Sequence, residues 1–146
     1  MAMQNDFTIG WLAGRTNCKV QTIRYYEQIG LMPVARRSSG NRRLYEPRHA
    51  DRLTFIRHSR ELGFSLAAIR DLLSLADNPD QSCFAADKLA ASHLADVNVR
   101  IARLAALKTE LERMVEQCAG GKISGCRVIE VLCDHSQCLS SDHRTA

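Results

Sequence analysis

Six cysteines stand at positions 18, 83, 118, 126, 133 and 138, five of them at or beyond residue 83. Met1 to Phe7 hold no basic stretch followed by an apolar run, and no segment approaches the roughly 18 apolar residues of a membrane span. The sequence therefore predicts a cytoplasmic protein with no membrane partner. In that reducing compartment, clustered cysteines point to metal or redox chemistry rather than to structural disulfides. Thiolates suit Zn(II), Cd(II), Pb(II), Hg(II) or Cu(I), and a protein discriminates among these through ligand number and geometry. Two thiolates suit linear Cu(I), whereas a third favours a divalent ion.

Position decides which cysteines can act together. An apolar stripe at Leu94, Val97, Ile101, Leu104, Leu107, Leu111, Met114 and Cys118 advances in steps of three and four, which predicts one long helix with a coiled-coil seam over 83–118. Cys83 lies at its start and Cys118 at its end, so at 1.5 Å per residue they stand roughly 50 Å apart. One chain cannot bring them to one ion. An antiparallel homodimer can, because the start of one helix then lies beside the end of the other, placing Cys83 of one subunit near Cys118 and Cys126 of its partner. These three are the expected metal ligands. Cys133, His135 and Cys138, in Cys133-Asp134-His135-x-x-Cys138, are possible additional ligands. They complete the coordination shell, form a second site, or belong to a reactive tail without a dedicated metal. Cys18 reads as a small buried hydrophobe.

The elements ahead of the long helix are short and punctuated. Thr8 is a candidate N-cap for a helix through Ile9, Leu12 and Ala13, and Thr16-Asn17-Cys18 forms a tight turn into a second helix carrying Val20, Ile23 and Tyr26 on one side. Met32 to Tyr45 has no helical period and predicts a short β-hairpin turning at Ser39-Gly40-Asn41. Helices from Pro47 to Leu62 and from Ser65 to Leu75 follow, with Gly63 as the stop between them. Ala119-Gly120-Gly121 ends the long helix, and a helical turn or two is expected at Arg127 to Leu132. The expected organisation is mainly α: a winged helix-turn-helix over 1–76, a linker over 77–82, the dimerisation helix over 83–118, and a short metal-binding loop and tail over 119–146.

A net charge of +4 is only mildly basic, but its distribution is uneven. Residues 15–60 hold ten arginines and Lys19 against Glu27, Glu46 and Asp51, the electrostatic footprint expected for phosphates. In a winged helix-turn-helix the second helix enters the major groove and the wing grips the flanking backbone. The second helix offers Lys19, Gln21, Thr22, Arg24, Tyr25 and Tyr26, of which Gln and Arg read base edges and the others suit phosphates. Arg36, Arg37, Arg42 and Arg43 supply the wing.

Several stretches together, Ile9-Gly10-x-Leu12-Ala13, Thr22-Ile23-Arg24-Tyr25-Tyr26-Glu27-x-x-Gly30-Leu31, Arg42-Arg43-Leu44-Tyr45, Phe55-Ile56-Arg57 and Leu62-Gly63-Phe64-Ser65-Leu66-x-x-Ile69, closely resemble the MerR family. Cys18 and Asn41 depart from the usual pattern, where an apolar turn residue and an aromatic wing residue are common. The resemblance implies a homodimer on a palindromic promoter whose recognition elements are spaced too widely for RNA polymerase. By the same resemblance the inducer-bound dimer is expected to bend and untwist that spacer. Cys118 and Cys126 look like the paired loop cysteines of MerR-type metal sensors. Cys83 is similar to the cysteine of divalent-ion sensors, where copper sensors tend to have serine. The expected function is activation of a metal-efflux or resistance promoter by Zn(II), Cd(II), Pb(II) or Hg(II) as inducer. A Cu(I)-responsive regulator, or a redox or thiol-stress sensor on the same fold, is the alternative. The iron-sulfur members carry a tighter four-cysteine cluster, and drug-sensing relatives append a ligand-binding domain. An enzyme is not expected, since a cysteine nucleophile would need a positioned base, and neither a phosphate loop nor paired acidic residues in a pocket-like context are found.

Overall fold

A computed structural model describes residues 6–118 and 120–139. Ala119 at the expected helix stop, and residues 140–146 of the expected tail, lie outside the described residues. The chain divides into two compact units, one ending at Ala86 and the other beginning at Asp87.

In the first unit, the Thr8 hydroxyl accepts a bond from the Trp11 N–H at 3.3 Å and so starts α1 (Ile9–Thr16). Asn17 ends it at φ 49°, a left-handed conformation that Asn tolerates better than most residues, and α2 (Val20–Gln28) follows three residues later. The expected hairpin is present but brief. β1 (Arg36–Arg37) pairs antiparallel with β2 (Arg43–Leu44), and Phe7 adds a further pair with Tyr45. Asn41 takes φ 61° in the turn, and its side-chain oxygen accepts a bond from Arg37 at 2.8 Å. The departure at Asn41 thus serves the wing's own turn. α3 (Pro47–Glu61) and α4 (Leu66–Ala76) complete this unit, α4 being capped by the Ser65 hydroxyl at 3.1 Å from the Ala68 N–H.

Leu12, Ile23, Leu31, Met32, Tyr45, Leu53, Ile56 and Ile69 are fully buried and form one core drawing on every helix of the unit and on the wing. Cys18 packs against that core, and burial pushes its thiol pKa up, so it stays protonated and apolar in character. Two arginines of the basic stretch, and Arg70 beyond it, are engaged by the fold itself. Arg52 reaches the Leu31 carbonyl at 2.8 Å and both carboxylate oxygens of Asp77, Arg57 reaches the Thr16 carbonyl at 3.1 Å, and Arg70 reaches the Ile29 carbonyl at 2.6 Å. Each guanidinium donates to a carbonyl at a helix end or turn.

The second unit is built on α5 (Phe84–Glu116), a single helix of 33 residues. It stops two residues short of the expected boundary: the Cys118 N–H bonds back to Val115 in a tightened last turn, and Gly120 and Gly121 take φ 71° and 120°. Leu94, Ile101, Leu104 and Leu111 along the stripe are all more than half exposed in the single chain. A 3-10 turn (Ile123–Gly125) and α6 (Arg127–Cys133) follow. The buried apolar side chains of this unit among the described residues are Met114 of α5 and Val131 of α6.

Candidate nucleic-acid interface and metal loop

Helix α2 has two faces. Ile23 and Tyr26 point into the core, whereas Lys19, Gln21, Arg24 and Tyr25 are exposed and Thr22 is half-exposed. Five of the six residues expected to meet DNA therefore share the outward side. Tyr26 is the exception. At 9% exposure it belongs to the core, three residues from Ile23 on the same helical face, and burial raises its phenol pKa. Its part in any interface is to seat the helix. Lys19, the residue before α2, offers no side-chain bond to the helix's first N–H groups, which leaves a partial positive end beside a cation for an anionic partner.

The wing is held to α2 by a group that sequence reasoning left out. Glu27, on the inner side of α2 at 7% side-chain exposure, accepts the Tyr45 hydroxyl at 2.7 Å with one oxygen and pairs with Arg43 Nε at 3.3 Å with the other. Burial, and then the bond to Glu27, hold the Tyr45 phenol well above its ordinary pKa. Arg43, expected on the phosphate backbone, is thus engaged first in attaching β2 to α2. Arg36 is exposed and paired with Asp6 at 2.6 Å, and Arg42 is exposed at the tip. The available signal for Glu27 was the lone carboxylate of α2, near the helix's end and within the arginine-rich stretch, which has to answer a nearby cation.

The expected metal ligands fall in two places. Cys83 is exposed just before α5, whose first N–H is taken by the Ser82 hydroxyl at 3.2 Å. Cys118 is exposed just after α5, and Cys126 is half-buried at the start of α6. Around the last two the loop is closed, because Arg127 Nε donates to Gln117 Oε1 at 3.0 Å and so joins the residues that flank the cysteines. Cys133 ends α6 exposed, His135 opens a second 3-10 turn (His135–Gln137), and Cys138 follows it half-buried. Among the described residues of one chain, no three His, Cys, Asp or Glu side chains gather as an ion would need.

Residues 7–76 match a family profile described as MerR HTH family regulatory protein, and residues 50–114 one described as MerR, DNA binding. The HTH-type transcriptional regulator ZntR of Escherichia coli (strain K12) is 38% identical over 129 residues, spanning 86% of this chain and 92% of that protein. The chain belongs to the MerR family. A second MerR-family relative, the mercuric resistance operon regulatory protein of Bacillus cereus, is 35% identical over 127 residues, spanning 86% and 96%. The crystal structure of PbrR691 from Ralstonia metallidurans CH34 in complex with lead(II) aligns with a TM-score of 0.77 at 38% identity, covering 86% of this chain and 98% of that one.

MerR-family regulators bind promoter DNA and function as homodimers. Dimerisation accounts for the bare stripe on α5, since an apolar seam of that length is stable in water only when another helix covers it. On the DNA side the MerR assignment gives Arg24 a specific test. Arg24→Ala should lower operator affinity by about 1–3 kcal/mol, with or without metal. Electrophoretic mobility shifts at matched salt measure this, and unchanged binding would remove α2 from the interface.

Proposed function

We propose that this regulator activates a metal-efflux or resistance promoter when Zn(II), Cd(II), Pb(II) or Hg(II) is held by Cys118 and Cys126 of one protomer together with Cys83 of the partner subunit. The chain is a metal-responsive transcriptional regulator, and the donor set argues which ions it answers. Residues 118–126 offer two cysteines and no carboxylate or histidine. Such a loop presents soft sulfur alone, which suits thiophilic ions and excludes Mg(II) or Ca(II). Cys83 supplies the third thiolate that linear Cu(I) does not need. The lead(II) complex of PbrR691 and the mercuric resistance relative support a divalent ion. When bound, the ion would cross-link thiolates of two protomers. Cys133 at the end of α6, and His135 and Cys138 beyond it, are further donors to the same ion or to a second one.

The readout follows from the other unit. Gln21 and Arg24 address base edges from α2, Lys19, Thr22 and Tyr25 take phosphates, and Arg36 and Arg42 extend the grip along the flanking backbone. The bound dimer bends and untwists an overlong spacer, so that RNA polymerase meets both promoter elements at workable spacing. The role is regulatory rather than catalytic, and it is exercised in the cytoplasm.

A reporter titrated with Zn(II), Cd(II), Pb(II), Hg(II), Cu(I) and Ag(I) tests the reading. Induction by the divalent ions is expected, whereas a response confined to Cu(I) and Ag(I) would replace it with a copper sensor. Cys83→Ser should weaken the divalent responses selectively. An equal loss toward all six metals would contradict its part in discrimination.

A further inference from the structure

The second unit contains a polar clamp that joins the two ends of the cysteine loop to the segment following α6. Arg127 follows Cys126 directly and Gln117 precedes Cys118, and their side chains meet at 3.0 Å. The Arg127 guanidinium also reaches Gln137 Oε1 at 3.3 Å and Glu130 at 3.4 Å. Gln137 is held a second time, its carbonyl accepting from Arg113 at 2.6 Å. Glu110, only 2% exposed, pairs with Arg113 and accepts the Leu139 N–H at 2.8 Å. Glu110 and Arg113 on α5, and Gln117 just past its end, are spaced by three and four residues, so they form one row facing the returning chain. An irregular segment with little apolar core is thereby pinned at three points by charge-assisted bonds.

We propose that Arg127 is a positioning residue for the metal loop: by bridging Gln117 and Gln137 it sets the separation of Cys118 and Cys126 before an ion arrives. This rests on the assignment of those two cysteines as ligands. The physical ground is preorganisation. Free, the loop between residues 118 and 126 would have to lose backbone freedom when an ion binds; with its ends already bonded, most of that entropy has been lost on folding. Two contacts from one rigid planar fork fix direction as well as distance, which a lysine ammonium on a flexible stem does not reproduce.

The test is a Cd(II) titration of the full-length dimer, following thiolate-to-metal charge-transfer absorption, with operator binding of the metal-free dimer as the check on folding. Arg127→Ala should weaken Cd(II) affinity roughly tenfold, as loss of an outer-sphere partner does, and leave metal-free operator binding unchanged. Gln117→Ala breaks the same bridge without changing charge and should move the affinity in the same direction. Arg127→Lys keeps the cation and should recover little. Full recovery by lysine would mean that the charge beside the thiolates acts, not the bridge, and would overturn the proposal. So would unchanged affinity in both alanine variants. If the wild type shows no thiolate absorption, or if Cys118→Ser leaves it intact, the ligand assignment itself fails and the clamp has nothing to position.

Discussion

Replacing Cys118 or Cys126 by serine removes metal-induced transcription while the dimer still binds its operator. Each is a proposed ligand in a loop with no other cysteine, histidine or carboxylate between residues 118 and 126, and a serine hydroxyl is a poor partner for a thiophilic ion. The loss in metal affinity should exceed the roughly 10- to 100-fold that removing an outer-sphere partner costs. Operator binding persists because α2 and the wing belong to the first compact unit and the two cysteines to the second. Reporter induction alongside mobility shifts separates the two effects. Undiminished induction in both variants would sink the site.

Removing Glu27 strikes the other half of the molecule. Glu27→Ala leaves the fully buried Tyr45 hydroxyl without its acceptor and Arg43 without its counter-ion. The expected cost is about 2–4 kcal/mol, a large share of the roughly 5–15 kcal/mol that holds an ordinary domain together. Urea denaturation measures that loss, and operator affinity should fall with it because β2 is no longer tied to α2. A variant as stable as the wild type would mean that the bonds to Glu27 contribute nothing net. The same network predicts a pH dependence. Because the folded Tyr45 phenol ionises above its ordinary range, its contribution to stability is complete below an unfolded pKa of about 10 and is lost as pH rises through the folded value. Tyr45→Phe should therefore flatten the fall in stability between about pH 9 and about pH 11, which denaturation at those two values reads directly.

Much of the architecture was legible because it rests on local rules. Thr8 and Ser65 are residues that cap helices, Asn17 tolerates the left-handed turn, and the step pattern from Leu94 to Met114 has the period of a helix. The roles of individual arginines were not legible. Arg24, Arg36, Arg43, Arg52 and Arg57 are chemically the same, yet Arg24 and Arg36 are exposed while Arg52 and Arg57 are half-buried and satisfy carbonyls 21 and 41 residues away. Charge counting cannot see those partners. Tyr26 shows the same limit from the other side: its hydroxyl suits a phosphate, but its place three residues after Ile23 turns the ring into the core.

The cysteines divide in the same way. Their number, their sulfur chemistry and the helix that separates Cys83 from Cys118 follow from the amino-acid order alone, because ligand type and a 1.5 Å helical rise are properties of local chain. So do the outward residues of α2 and the need for a covering helix on α5. Only the tertiary structure could decide that Glu27 ties the wing to α2 and that Arg127 joins Gln117 to Gln137 around the loop. These are contacts between residues 10 to 18 positions apart, and no periodicity encodes them. They exist because a buried or half-buried polar group must find a partner wherever the packed chain provides one.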